Sequence, residues 1–138
     1  MAVINSSRFD FSDVISKELT RYGADVFEEV FEAVDEVSKE AVKKLKAESP
    51  KGATGKYAKG WTRKLERGRV KVGATVYGKT PSTYAVAHLL EHGHVSRNGT
   101  GRTFGKTQAI VHIAPIEEWA VGELEDRIIS KLDHNMGV

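Results

Sequence analysis

Cysteine is absent from the 138-residue chain, and its absence excludes disulfides, thiolate zinc sites, iron–sulfur clusters and cysteine nucleophiles. Long apolar runs are also missing, since no stretch approaches the ~18 consecutive apolar residues of a membrane-spanning helix. With 3 Pro, 13 Gly and 40% hydrophobic residues, the composition is neither collagen-like nor of low complexity. The length predicts a single domain over residues 1–138, because domains average ~150 residues. The first residues lack the basic and apolar regions of a secretory signal, so no such signal is predicted, and the absence of cysteine fits a reducing cytoplasm.

Charge is unevenly distributed along the chain, although the net charge is only +2. Residues 1–50 hold 7 basic and 11 acidic side chains, a net charge of −4. Residues 51–80 hold 9 basic and 1 acidic, a net charge of +8, and residues 81–138 hold 5 and 7, a net charge of −2. Such asymmetry favours an anionic partner or a complementary neighbour.

The N-terminal part of the sequence predicts a short polar arm over residues 1–11, followed by a long amphipathic helix over residues 12–48. Apolar residues recur between Ile15 and Leu45 at about the helical period. Pro50 ends this helix, and Gly23 is its weak point, a kink or a break. A continuous helix would be ~54 Å long, whereas the domain would be ~40 Å across. It must therefore bend, break or project, and projection would favour a partner subunit over the overhang.

The remaining chain alternates short elements. Period-two alternation predicts a hairpin over residues 60–78 with its turn at Arg67-Gly68. A short apolar helix over 83–91, a flexible glycine-rich loop over 95–107, a third strand over 109–114 and a helix over 115–133 follow. The predicted fold class is α+β, with the long N-terminal helix and the C-terminal helix packed on a small antiparallel sheet.

One motif suggests metal chemistry. His88, Glu91 and His92 have the spacing H-x-x-E-H, in which two histidines on one helix face bind Zn²⁺ and the glutamate is the general base. A catalytic zinc needs a third protein ligand, and the sequence does not place His94 or His112 near the pair. A chance pairing of two amphipathic side chains beside a turn is the favoured interpretation, so no metal, cofactor or catalytic residue is predicted.

The basic block over residues 51–71 is the strongest electrostatic feature, and Tyr57 and Trp61 within it could stack on bases. The alternatives are a contact with an acidic protein surface, or a core tryptophan on a hairpin whose lysines are merely solvated. Together with the later loop, the block supplies these interface candidates: Lys51, Lys56, Lys59, Arg63, Lys64, Arg67, Arg69, Lys71, Arg97, Arg102, Phe104 and Lys106.

Several segments in order carry a family resemblance. They are the long amphipathic helix, Ser49-Pro50 through Gly55-Lys56-Tyr57-Ala58-Lys59-Gly60-Trp61, Tyr84-Ala85 leading to Leu90-Glu91-His92-Gly93, and a helix that begins near Ala114-Pro115. The chain resembles the tail-completion or head–tail joining (neck) proteins of long-tailed bacteriophages over roughly residues 12–132. The loop over 95–107 is longer and more basic than this resemblance leads one to expect.

The resemblance implies a structural virion protein without catalysis. Copies would form a ring in the neck, between the portal, its adaptor or a head-completion protein and the tail terminator or tail tube, with DNA passing through the centre. The protein would be made in the host cytoplasm and would reside in the virion. The alternatives are a small DNA-binding module that uses the 51–71 block and, less favoured, a zinc hydrolase at His88, Glu91 and His92.

Two expectations concern the contacts of such a ring. The acidic helix face of one copy is expected to approach the basic hairpin of the next, because the two segments have opposite charge. The loop over 95–107 is expected to be mobile in the free subunit and to become ordered against a neighbour, with Phe104 as its apolar anchor.

Overall fold

A computed structural model of the chain describes residues 8–51, 54–67, 72–97, 103–107 and 109–135. The elements in chain order are β1 (Arg8–Asp10), α1 (Ser12–Tyr22), a short 3-10 helix (Ala24–Val26), α2 (Phe27–Glu48), α3 (Lys56–Lys59), β2 (Trp61–Arg67), β3 (Val72–Gly78), α4 (Pro81–His92), β4 (His94–Arg97), β5 (Thr103–Thr107) and α5 (Ile113–Asn135). The predicted α+β class is confirmed. None of the helices in these ranges is long and apolar enough to cross a membrane.

The helix predicted over residues 12–48 is interrupted at Gly23. This residue has φ 83° and ψ 177°, a backbone conformation that a residue with a Cβ rarely adopts. It separates α1 from the 3-10 helix and α2. The 22 residues of α2 span only ~33 Å, which fits within the domain, so the overhang expected from a continuous helix does not exist.

A three-stranded antiparallel sheet has the order β1-β3-β2. In the β2–β3 hairpin Trp61 pairs with Gly78 and Arg67 with Val72, while Phe9 of β1 pairs with Val76 on the other side of β3. Alternate residues of β3 are buried, because successive side chains of a strand point to opposite faces. One face of the sheet therefore packs on the core and the other is open in the single chain.

Helix α2 is the centre of the molecule. It packs against the sheet on one side and against α5 on the other. Its fully buried positions follow the helical period and are Val30, Ala33, Val34, Val37, Ser38, Ala41 and Leu45. From α5, Ala120, Leu124 and Ile128 complete this core, so the sheet, α2 and α5 form three layers.

Helix α4 docks on glycines at the end of the hairpin. A Cβ on Gly78 would lie 2.8 Å from Thr83 Cγ2, and one on Gly60 would fall inside the Thr83 side chain. The Thr83 hydroxyl donates to the Tyr57 carbonyl oxygen over 2.8 Å. The first turn of α4 therefore depends on the missing side chains of two glycines.

The segment after α4 differs from the prediction in two respects. Strand β5 and all of β4 except His94 lie in the predicted loop over 95–107, and the two strands pair antiparallel, with His94 opposite Thr107 and a register shift near Arg97. We call this pair the ribbon. The third strand predicted over 109–114 is not formed, since residues 109–112 have no regular secondary structure and Ile113 begins α5.

Candidate assembly surfaces

Glu91 connects the end of α4 to the beginning of α5. Its buried carboxylate accepts backbone N–H bonds from His112, Ile113 and Ala114, each 2.9 Å long. The first N–H groups of a helix have no partner within the helix. This carboxylate therefore caps α5 and meets the positive end of its dipole.

Two opposing effects set the pKa of Glu91. Burial raises the pKa of the carboxyl group, whereas the three backbone N–H bonds and the neighbouring His112 ring lower it, and the lowering prevails. The fold therefore stabilises the charged carboxylate.

His112 extends this network into the core. Its Nδ1 lies 2.6 Å from the Ile110 carbonyl oxygen and 3.1 Å from Glu91 Oε1, and its Nε2 lies 2.6 Å from the Tyr57 hydroxyl. The Ile110 carbonyl oxygen can only accept, so Nδ1 carries the proton of that hydrogen bond. Burial, and secondarily the charge of Glu91, raises the pKa of Tyr57 well above its ordinary value, which keeps the hydroxyl protonated.

The H-x-x-E-H spacing does not bring its three side chains together. His88 and His92 are exposed on α4, with ring centroids 5.6 Å apart, whereas Glu91 is turned into the core and holds the start of α5. A carboxylate engaged by three N–H groups is not placed as a general base beside the histidine rings. Within the described ranges, no cluster of three or more His, Cys, Asp or Glu side chains is arranged to hold a metal ion.

The pleat of β2 divides the basic block between the two faces of the sheet. Arg63 lies on the face toward α2, where its Nη1 donates to Asp35 Oδ1 over 2.7 Å and to Ser38 Oγ over 3.0 Å. Arg67, four residues on, pairs with Glu28 of the same helix. The block is therefore not one continuous surface.

The other members of the block lie elsewhere. Lys64 is exposed on the outer sheet face. Together with Arg8 and Tyr84, it lines a groove of about 450 Å³. Lys51 donates to the last carbonyl groups of α2, including that of Ala47 over 3.2 Å. Two further lysines, Lys56 and Lys59, are exposed on α3. Arg69 and Lys71 lie outside the described residues.

Neither aromatic residue of the block is available for stacking on bases. Tyr57 is 8% exposed and Trp61 is 1% exposed, and their rings pack edge to face. The indole Nε1 donates to Ser49 Oγ over 3.0 Å. The interpretation of Trp61 as a core residue is confirmed, and stacking by these two residues is wrong.

The acidic face of α2 is largely neutralised within the chain. Besides the two arginines of β2, Arg127 and Lys131 of α5 turn toward it. The pairs across this interface join Arg127 to Glu36 and Glu40, and Lys131 to Glu32 and Glu36. The acidic and basic segments of the sequence therefore meet inside one subunit.

Three of the four interface candidates in the predicted loop lie on the ribbon. Arg97 ends β4, and Phe104 and Lys106 belong to β5, while Arg102 lies outside the described residues. Their docking role stays a prediction.

Sequence reasoning did not find the Glu91 cap. Glu91 and the N–H groups that it binds are more than twenty residues apart, with the ribbon between them. The motif that contains Glu91 suggested zinc, and no local signal marks it as the partner of a helix start.

Residues 13–93 match the family described as "Bacteriophage HK97-gp10, putative tail-component". The matched region extends from α1 to the end of α4 and covers more than half of the chain. No curated protein and no solved structure matches the chain significantly.

Proposed function

The chain belongs to the HK97 gp10-like family of bacteriophage tail components, and from this premise we propose that it is a structural virion protein of the neck, where copies form a ring that joins head to tail. The family match carries the proposal, because it extends over the central helix, the β2–β3 hairpin and α4. A role in the virion without catalysis agrees with the geometry around Glu91, where a buried polar cluster holds α4 and the start of α5 together.

The proposed partners are other copies of the chain, a portal, adaptor or head-completion protein on one side, and a tail terminator or tail tube protein on the other. DNA would pass through the centre of the ring. Heterologous contacts between identical subunits close into rings when the rotation between neighbours allows it.

The DNA-binding alternative is weakened by the placement of its residues. Tyr57 and Trp61 are core residues, and Arg63 and Arg67 are paired with α2. Within the described part of the 51–71 block, what is left is a set of lysines, because the two aromatic residues of the block are buried.

Removal of the chain from the phage that encodes it tests the proposal. We expect DNA-filled heads and complete tails that do not join, counted by electron microscopy, and joined particles when the chain is supplied in trans. Joined, infectious particles in the absence of the chain would show that it is not a joining protein. Light scattering of the purified chain, alone and with portal or tail components, tests the ring itself.

A further inference from the structure

Two surface patches of opposite charge remain after the internal ion pairs of the described residues are taken into account. One is basic and lies where α2 ends, and the other is acidic and lies along α5. They occupy different elements, so a contact between them would join two copies of the chain head to tail.

The basic patch consists of exposed lysines at the end of α2, on α3 and after β3. Its members are Lys43, Lys46, Lys56, Lys59 and Lys79. Lys79 is held near α3 because its N–H donates to the Gly60 carbonyl oxygen over 2.7 Å. Between residues 41 and 60 the sequence has six lysines and one acidic residue, Glu48.

Part of this charge serves α2 itself. Lysines near a helix C-terminus offset the negative end of the helix dipole, as Lys46 and Lys51 do here. Lys44 is engaged differently, because its Nζ lies 4.5 Å from the centroid of the Trp119 ring. That explanation does not extend to Lys56 and Lys59, which come after the helix has ended. These two lysines are therefore the best probes of an external partner.

The acidic stripe follows the outward face of α5. Glu118, Asp126 and Asp133 are exposed along it, with exposed Gly122 and Ile129 between them. Steps of three and four residues keep all five positions on one side of a helix.

Over residues 113–133, no cation of α5 lies on this stripe, because Arg127 and Lys131 point toward the glutamates of α2. Lys17 of α1 borders the stripe and pairs with Glu125 over 3.5 Å. The side chain of Ile129, 40% exposed, adds apolar area, and a Cβ added to Gly122 would meet no described atom within 4 Å. A second chain could therefore approach the helix closely.

We infer that the basic patch of one copy binds the acidic stripe on α5 of the next copy. This inference rests on the proposed ring and names its contact. It replaces the expected contact between the acidic helix face and the basic hairpin, because Arg63 and Arg67 pair with that helix in their own subunit. Flexible lysines recognise carboxylates by charge, and such a contact is specific mainly through the arrangement of opposite potentials.

Charge reversal tests the inference in the full chain. Lys56→Glu with Lys59→Glu lowers the charge of the five-lysine basic patch from +5 to +1, and Glu118→Lys with Asp126→Lys changes the charge of the acidic stripe from −3 to +1. Each variant should self-associate at least ~10-fold more weakly than the wild type at low salt. The fourfold variant has new glutamates in the basic patch and new lysines on the stripe, so the exchanged positions are again opposite in charge and association should exceed that of either double variant.

A matched control carries the same charge change elsewhere. Arg8→Glu with Lys64→Glu alters the outer sheet face and should associate as the wild type does. Mass is measured by light scattering over a range of protein and salt concentrations, and circular dichroism melts verify that every variant is folded.

Three results would overturn the inference: a wild type that is monomeric at every concentration in low salt, a fourfold variant as weak as its parents, or a control that weakens association as much as the patch variants. Lysine variants that associate normally but lose binding to duplex DNA would assign the patch to phosphate instead. Patch variants that assemble normally, in a phage that still needs the chain to join heads to tails, would leave the proposed function intact and remove only this contact.

Discussion

Arg63 of β2 donates a hydrogen bond to the carboxylate of Asp35 on α2 over 2.7 Å. The same Nη1 lies 3.0 Å from the Asp35 carbonyl oxygen and 3.0 Å from Ser38 Oγ. The guanidinium is half-buried between the sheet and the central helix. It therefore fixes the sheet to α2 within the subunit.

Reversing this arginine should destabilise the subunit. In Arg63→Glu a carboxylate would face Asp35 and leave Ser38 without its donor, so we expect a loss of ~2 kcal/mol or more in the free energy of unfolding, since hydrogen bonds to charged groups contribute ~1.5–3 kcal/mol. Lys64→Glu is the control, because Lys64 is exposed on the other face of the same strand. Urea denaturation measures both, and equal losses would contradict the assignment.

The two glycines of β3 should respond oppositely to alanine. In Gly78→Ala the new Cβ would lie 2.8 Å from Thr83 Cγ2 and 2.9 Å from the Tyr84 nitrogen, so α4 must shift. Overpacking of this kind costs ~1–3 kcal/mol. A Cβ on Gly73 would meet no described atom within 4 Å, and Gly73→Ala should be neutral or slightly stabilising. Thermal melts of the two variants distinguish these outcomes, and a neutral Gly78→Ala would mean that α4 adapts freely.

If Glu91 caps α5, its substitution should destabilise the protein more than the substitution of His88. A zinc site formed by His88, Glu91 and His92 would not predict this difference. Glu91→Ala leaves three backbone N–H groups of α5 without their acceptor, and an unsatisfied buried donor costs ~1–3 kcal/mol. His88→Ala and His92→Ala remove exposed rings and should leave stability and particle assembly nearly unchanged. Chemical denaturation measures the stability of each variant, and metal analysis measures its bound zinc. One bound zinc per chain that is lost in both histidine variants would contradict the prediction.

The Glu91 cap also predicts a dependence of stability on pH. Its folded-state pKa lies below the ordinary value of 4.5, so the carboxylate contributes stability that is fully present above that value. The contribution is lost as the pH falls through the folded-state pKa. The difference in unfolding free energy between the wild type and Glu91→Gln should therefore shrink in acid. A difference that stays constant from neutral pH to pH ~3 would show that charge plays no part.

Glu18 of α1 offers a stabilising substitution. Its side chain is 1% exposed, and its Oε2 has no hydrogen-bond partner among the described residues. Because burial of a polar group without a partner costs free energy, Glu18→Met should raise the midpoint of thermal unfolding. Ser16→Met at an exposed position of the same helix is the control, and a lower midpoint for Glu18→Met would indicate that the carboxylate is needed where it lies.

Features set by local patterns could be predicted, and features set by distant contacts could not. The helical period predicts the apolar face of α2, and the alternation of apolar and polar residues predicts the buried faces of β2 and β3. The β-branched run at Ile110, Val111 and Ile113 favoured a strand, but Glu91, far away in sequence, caps a helix there. Net charge by segment predicted complementary surfaces, yet it could not reveal that Arg63 finds Asp35 in the same subunit.

The chain segments before and after the ribbon are held together by hydrogen bonds. Leu90 accepts a hydrogen bond from the Ile110 N–H over 2.7 Å, and Glu91 binds the chain just beyond it, so both ends are held by residues outside the ribbon. Lengthening a loop whose ends are already fixed costs little, since closure entropy grows only with the logarithm of its length. The family match ends at residue 93, where the ribbon begins. A segment of another length or charge at this position is therefore compatible with the same surrounding fold, and in the proposed ring it would change the surface that the subunit offers to a neighbour.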